Sequence, residues 1–398
     1  IRGYSDGLDR GKRLMNIDYD KIISLNNLPP KGSRIVVAMS GGVDSSVTAA
    51  LLHNAGFEVI GVTMKLYESK KKGTKTCCAG IDIADARNVC KRIGIKHFIL
   101  NFENNFKDSV INDFVESYVN GQTPIPCITC NQTVKFRDLI EFSKKLNSKV
   151  LVTGHYVKRI ECKDGIQLYQ ANDDQKDQSY FLFATTQDQL KYLRFPLGHF
   201  SKKQIREIAQ TYQLDVALKP DSQDICFVPD GNYRDFIKKT LNYKPKKGKI
   251  VTCDGKILGD HQGIYDFTIG QRRGIGVGGI KGESEQKPLY VVDIDSKQNK
   301  IVVGPKEQLK KYYVYVKDLN FFSKKFPSTN FNAYVKVRSR RSLISAKVKI
   351  SDKEKKTGIV ELFKPEFGIA PGQACVFYDN LNKLIGGGWI ISGEKRLS

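Results

Sequence analysis

A chain of 398 residues with 40% hydrophobic and 27% charged side chains is long enough for two or three cored domains and reads as a soluble globular protein. Its 65 lysines and arginines against 42 acids give a net charge of +23, the mark either of a lysine-rich background or of a polyanionic partner. No apolar run approaches the ~20 residues that span a bilayer, so a membrane protein is excluded at this stage. Nine cysteines without a secretory apolar segment suit a reducing compartment, where thiols serve catalysis, redox or metals.

Residues 1–32 mix Arg2, Arg10 and Arg13 with Asp6, Asp9, Asp18 and Asp20; transit peptides avoid acids, so this extension is not read as a targeting segment, and a cytoplasmic location is expected, with an organelle as the alternative. "RIVVAM" (34–39) is a β-branched run suited to a strand covered on both faces. From Val43, apolar residues fall at helical spacing as far as Gly56, a stop signal. "EVIGVTM" (58–64) and "HFILNF" (97–102) are the next strands, separated by a helix over 83–94, and "KVLVTGHYV" (149–157) a fourth, after helices near 106–119 and 132–146. Strands alternating with helices indicate an α/β domain with a Rossmann-like parallel sheet, over residues 33–235. After the lysine- and proline-rich "LNYKPKKGK" (241–249) the period changes to that of strands and hairpins. A small β-rich connector over 236–307 and a C-terminal β-barrel over 308–398 follow. Residues 311–398 hold 17 basic and 7 acidic side chains, a density above that of the rest, which favours nucleic acid as the partner of the barrel. "GQRRGIGVGG" (270–279) lacks a following helix pattern, so it is a turn region or basic loop rather than a dinucleotide site.

The stretch "AMSGGVDSS" (38–46) joins the first strand to the first helix and offers glycines, hydroxyls and backbone amides at a helix N-terminus. That arrangement suits a phosphate tail. A Walker loop would carry a lysine after its glycines, and none follows here. The loop is therefore read as holding the β and γ phosphates as a departing pyrophosphate.

At this point the sequence resembles enzymes of the pyrophosphatase-loop superfamily, and within it the tRNA-specific 2-thiouridylases. The resemblance rests on "AMSGGVDSS", "GVTMKLY" (61–67), "CCAGIDIADAR" (77–87), "TPIPCITCNQTVKFRDL" (123–139), "TGHYV" (153–157), "KDQSYFLF" (176–183), "KPDSQDICFVPDGNYRDF" (219–236), "DFTIGQRRG" (266–274) and "APGQACVFYD" (370–379), in order across 34–391. It implies ATP-dependent 2-thiolation of the wobble uridine in tRNA: adenylation of O2, then sulfur transfer from a cysteine persulfide. By the same resemblance ATP, with Mg²⁺, lies on Ala38, Met39, Ser40, Gly41, Gly42, Val43, Asp44 and Ser45, with Met64 and Gly154 at its adenosine. Ile125, Pro126 and Cys127 meet the target base, and His155, Lys176, Asp177, Gln178, Arg338, Ser339 and Gln373 meet tRNA. Asp44 has a second reading as a helix cap, His155 as a core histidine, and Arg338 as part of a solvated basic face.

Cys226 is the expected persulfide carrier, loaded by a sulfur-donor protein, and Cys130 the second, nucleophilic thiol. Cys127 departs from many relatives, which have aspartate there, and makes C-x-x-C with Cys130. This puts a general-base role at that position in doubt and raises a redox one. A zinc site would need a second ligand pair, which five histidines and the adjacent Cys77 and Cys78 do not supply. Cys90, Cys162, Cys253 and Cys375 are read as structural. The chain is expected to act as a monomer. Two other readings remain: an amidating ligase using the same loop, which would keep activity without its cysteines, and a non-catalytic RNA-binding protein.

Overall fold

The computed structural model describes residues 17–67, 80–221, 224–228, 231–241, 245–277, 288–323, 328–340, 342–352, 354 and 356–394. Residues 1–16 of the N-terminal extension, the Cys77–Cys78 pair and the end of the 270–279 glycine stretch lie outside them. Among the described residues no helix is long and apolar enough to cross a membrane.

The first domain contributes β1 (Arg34–Ala38), β2 (Glu58–Lys65), β3 (Lys96–Asn101), β4 (Leu151–Val152), β5 (Val157–Cys162), β6 (Gly165–Gln170) and β7 (Leu193–Arg194). Five of these form a parallel sheet in the order β3-β2-β1-β4-β7. The Ile35, Val36 and Val37 side chains in the middle of β1 are fully buried, as a β-branched run between two helical layers requires. The helix Val43–Asn54 leaves the carboxyl end of β1, and Gly56, at φ +91°, turns the chain back into β2. Helix Gly80–Ile93 joins β2 to β3. Beyond β3 the helical segments Glu103–Phe106, Lys107–Ile111 and Asn112–Val119, and then Pro126–Cys130, Asn131–Asp138 and Leu139–Lys145, cover the sheet.

The fourth strand is shorter than the sequence suggests. Only Leu151 and Val152 pair in the sheet, and the chain leaves it at Gly154. A Cβ at Gly154 would stand 3.0 Å from the carbonyl carbon of Asp44 and from the amide nitrogen of Ser45, so the backbone passes directly over the start of the phosphate-loop helix. The next residues form the β5–β6 hairpin, which pairs through β6 with the last strand of the chain, Lys383↔Tyr169 and Leu384↔Leu168. The apolar pattern of 149–157 is thus split between two sheets, which periodicity alone does not reveal.

The connector holds β8 (Gly248–Thr252), β9 (Ile257–His261), β10 (Tyr290–Asp295) and β11 (Lys300–Gly304), in the order β10-β11-β8-β9. The C-terminal strands are β12 (Lys310–Phe321), β13 (Asn330–Lys336), β14 (Ile344–Asp352), β15 (Thr357–Phe367), β16 (Ala374–Tyr378) and β17 (Lys383–Glu394). They run β12-β15-β14-β13-β16-β17, and β12 pairs with β17 to close a six-stranded antiparallel barrel. Its interior is filled by residues such as Val316, Val335, Val348, Val360 and Phe377. The outer side of β16 belongs to the core of the first domain: Tyr180 donates to the Ala374 carbonyl at 3.0 Å, and Ser179 and Tyr378 share a 3.0 Å hydroxyl contact. This packing fixes the turn after β13 beside the phosphate loop.

Candidate active site

A cavity of about 920 Å³ opens beside the carboxyl end of β1, the edge at which open α/β sheets bind ligands. Its walls come from the phosphate loop, from the Pro126–Asp138 helical stretch, from the segments around His155 and Gln178, from Lys202 and Lys219–Asp221, and from the barrel residues Lys336, Ser339 and Arg340.

At one end is the loop. Gly41 sits at φ +73°, and a Cβ there would lie 2.1 Å from the Asp82 carbonyl oxygen, so only glycine fits. The Ser40 amide donates to Ser45 Oγ at 3.1 Å, and Ser45 and Ser46 hydroxyls turn back to the Gly42 carbonyl at 3.2 and 2.8 Å. Gly42 caps the helix without a side-chain hydrogen bond, leaving the first-turn amides for a ligand. Asp44 is not the cap. Its carboxylate takes Lys202 Nζ at 2.7 and 2.8 Å and the Tyr156 hydroxyl at 2.7 Å.

The cations that the loop lacks in sequence arrive from elsewhere. Lys202 is nearly buried, and besides Asp44 it pairs with Asp221 at 2.8 Å. Lys219 Nζ reaches the Gly41 carbonyl at 2.9 Å and the carboxylates of Asp82 and Asp85 at 2.6 and 2.5 Å. Burial opposes the Lys219 charge, but the two aspartates outweigh it and hold its pKa above the ordinary value. Burial likewise works against the Asp221 carboxylate, yet Lys176 and Lys202 keep its pKa below the usual range. Burial first and the neighbouring Asp44 charge second raise the Tyr156 phenol, which stays a donor. Sequence reasoning missed both lysines because they meet the loop across 158 and 178 positions. A signal existed: the box Ser201–Gln204 starts a helix with Lys202 at its first position, and Lys219 opens the quoted "KPDSQDICF".

The other end is largely neutral. Cys127 is exposed on the cavity wall, and Cys130, one helical turn on, is buried in the core beneath it. Cys226 is half-buried and packs against that same core; the Tyr67 hydroxyl donates to its carbonyl, and Phe227 stacks edge-on against Phe106 and Phe114 at 5.4 and 5.1 Å. His155 lines the cavity with Nδ1 2.8 Å from the Thr153 hydroxyl and its ring between Phe136 and Phe195. Burial, with Lys135 adding to it, pushes its pKa down to about 3, so the imidazole is neutral.

The other expected contacts are distributed unevenly. Ser40, Gly42, Val43, Asp44, Cys127, His155, Lys176, Asp177, Gln178 and Ser339 share the cavity wall. Met39, Met64 and Pro126 are buried, and Ala38 and Ile125 are partly buried against the same cores. The Asp177 side chain is 1% exposed and is consumed by Ser179, Gln170, the Ala171 amide and Lys336. Gln178 accepts from the Tyr156 amide at 3.0 Å. Gln373 donates to the Thr123 carbonyl at 2.8 Å, clamping the barrel to the segment that leads into Cys127. Arg338 donates to the Gly368 carbonyl within the barrel. Cys90 is buried, which pushes its thiol up to about 12, and Cys375 is buried and raised as well. Cys162 and Cys253 are exposed, so a core-packing role does not extend to them: each sits at the outer end of a hairpin.

Family models match three consecutive parts of the chain: a tRNA methyl transferase HUP domain over 33–230, a tRNA methyl transferase PRC-barrel domain over 234–305, and an aminomethyltransferase beta-barrel domain over 311–390. Among curated proteins, the tRNA-specific 2-thiouridylase MnmA of Roseobacter denitrificans is 49% identical over 93% of this chain and 98% of its own length. That of Ruegeria sp. is 50% identical over 92% and 96%, and that of Wolbachia pipientis 49% identical over 92% and 97%.

Proposed function

Because the chain belongs to the family of tRNA-specific 2-thiouridylases, we propose that it exchanges O2 of a tRNA uridine, the wobble base of the anticodon, for sulfur, with ATP converted to AMP and pyrophosphate. The supporting observation is that one cavity joins an anion-binding loop and two lysines to a helix carrying Cys127 and, behind it, Cys130. Lys336, Ser339 and Arg340 place the barrel at the rim of the same cavity, where a polyanion would arrive.

The donor set suits a triphosphate: first-turn amides, serine hydroxyls and two lysines. ATP bound there supplies a leaving group, since O2 becomes a far better one once joined to AMP. Lys219, at the Gly41 carbonyl, and Lys202, at Asp44, are placed to stabilise the charge that develops as pyrophosphate departs. Asp44 and Asp221 are hard oxygen donors that would hold Mg²⁺ together with phosphate oxygens, and the ion would add to that neutralisation. The target base must leave its stack to enter, which a single-stranded anticodon loop permits.

Sulfur follows on the neutral side. A donor protein leaves a persulfide on Cys226. The Cys130 thiolate attacks the inner sulfur, hydrosulfide is released to C2, and the C2–O bond to AMP breaks. A Cys130–Cys226 disulfide remains, to be reduced by an external dithiol. The descriptions of the family models speak of methyl transfer, whereas the relatives are named for thiolation; Cys127 on the cavity wall, with Cys130 and Cys226 at the core behind it, favours sulfur. The test is nucleoside analysis of tRNA incubated with the protein, ATP, a persulfide-donating protein and an external dithiol. Appearance of 2-thiouridine is expected, together with pyrophosphate release that depends on tRNA. Unmodified uridine and ATP turnover indifferent to tRNA would remove this reading.

A further inference from the structure

Asn131 follows Cys130 at the cavity wall and is 3% exposed. Its amide is oriented without ambiguity: Nδ2 donates to the Phe181 carbonyl at 3.3 Å, and the flipped amide would set two oxygens against each other. Oδ1 is therefore an acceptor, and it is buried with no hydrogen-bond partner. Buried acceptors left unmade are costly, and because Asn131 is among the residues that line the cavity, a donor on the ligand is the simplest partner for this one. Phe181 lines the same cavity, an aromatic residue beside this acceptor of the kind on which unstacked bases rest.

We propose that Asn131 selects the base: its Oδ1 accepts the N3–H of the target uridine. The inference rests on the thiolation reading and deepens it. Uridine and cytidine both carry a carbonyl at C2, so attack on the α-phosphorus by O2 does not by itself distinguish them. They differ at the adjacent N3, a donor in uridine and an acceptor in cytidine. A fixed acceptor facing N3 welcomes the first and repels the second, and it does so beside the atom to be adenylated. Asn131 touches the base in this account and sets specificity; it takes no part in bond making.

The experiment measures pyrophosphate release under kcat/KM conditions with anticodon stem-loop RNAs carrying uridine, 3-methyluridine or cytidine at the target position. The wild-type chain is expected to prefer uridine to both by about tenfold or more, the scale of leaving a buried acceptor unpaired. Asn131→Leu keeps the volume and removes the acceptor; it should lose activity on uridine while the three rates converge to within a few-fold. Equal wild-type rates on uridine and 3-methyluridine overturn the proposal without any variant, so a misfolded Asn131→Leu protein does not shelter it. A folded variant that is slower by the same factor on all three RNAs also overturns it, because that is the behaviour of a structural residue. A wild-type chain that leaves uridine RNA untouched while binding ATP overturns the thiolation reading, and this inference with it.

Discussion

The two ends of the cavity solve opposite problems. At the loop, the two lysines are already matched: Lys202 lies between Asp44 and Asp221, and Lys219 between Asp82 and Asp85. At the other end, Lys135 aside, the groups are neutral and partly unsatisfied, with an imidazole pushed far below its ordinary pKa and the orphaned Asn131 oxygen. A matched end can accept an anion only by rearranging lysine from aspartate to phosphate, so it is poised for a ligand whose charge grows as it departs. An unmatched neutral end suits an uncharged base and a thiol that must keep its reactivity until the base is activated.

The division is broken most completely at the sulfur side. Cys130→Ser and Cys226→Ser should each reduce 2-thiouridine in single-turnover reactions below detection, while tRNA-dependent pyrophosphate release remains measurable, since activation precedes sulfur transfer. Thiouridine made by either variant would show that sulfur reaches C2 without a persulfide carried on this cysteine pair. At the matched end, Lys219→Met should slow pyrophosphate release by about 10²- to 10³-fold, the range for removing one preorganised donor from a developing charge. A loss seen only in KM for ATP would make Lys219 a ground-state anchor instead.

How far the sequence revealed each end follows from the same contrast. The loop was legible because its chemistry is local: glycines, serines and a helix start within nine residues. Of the cysteines in the family-like stretches, Cys127 lines the cavity, while Cys130 and Cys226 belong to the core packed behind it. The lysines carried only the faint local signals of a helix start and a family-like stretch, because the role of Lys202 and Lys219 emerges only after the chain folds them onto Asp44 and Gly41. The β5–β6 hairpin was missed because its alternation is partnered by a strand more than two hundred residues later. Asn131 was passed over since an asparagine after a cysteine carries no signal until burial shows an oxygen without a partner.

A gentler perturbation sharpens the neutral end. His155 is neutral in the fold because burial lowers its pKa to about 3, against an ordinary value near 6.5. The unfolded chain therefore binds a proton that the folded chain refuses as pH falls from about 6.5 toward 3, and this site's contribution to stability is complete above that window and lost within it. His155→Gln retains a neutral polar group without the titration. Its melting temperature should fall less than the wild type's between pH 7 and 5, as read by thermal unfolding in matched buffers. A parallel decline in both proteins would place the acid sensitivity elsewhere.

The smallest effect belongs to the barrel rim, where the structure separates two arginines that the sequence places in one basic run. Arg338 spends its guanidinium on the Gly368 carbonyl, and a Cβ on Gly368 would come within 2.9 Å of that group, so Arg338 is packed as well as bonded. Arg340 is exposed and lines the cavity. If the rim meets the phosphates of tRNA, Arg340→Ala should weaken binding about equally for any tRNA and lower the slope of log affinity against log salt by about one. Arg338→Ala should instead depress barrel stability by about 1–2 kcal/mol through the lost contact. Should the salt slope change with Arg338 and not with Arg340, the packed arginine would be the one that turns outward to the nucleic acid. The barrel would then be a surface remodelled by its partner, unlike the first domain, whose cavity is built in advance.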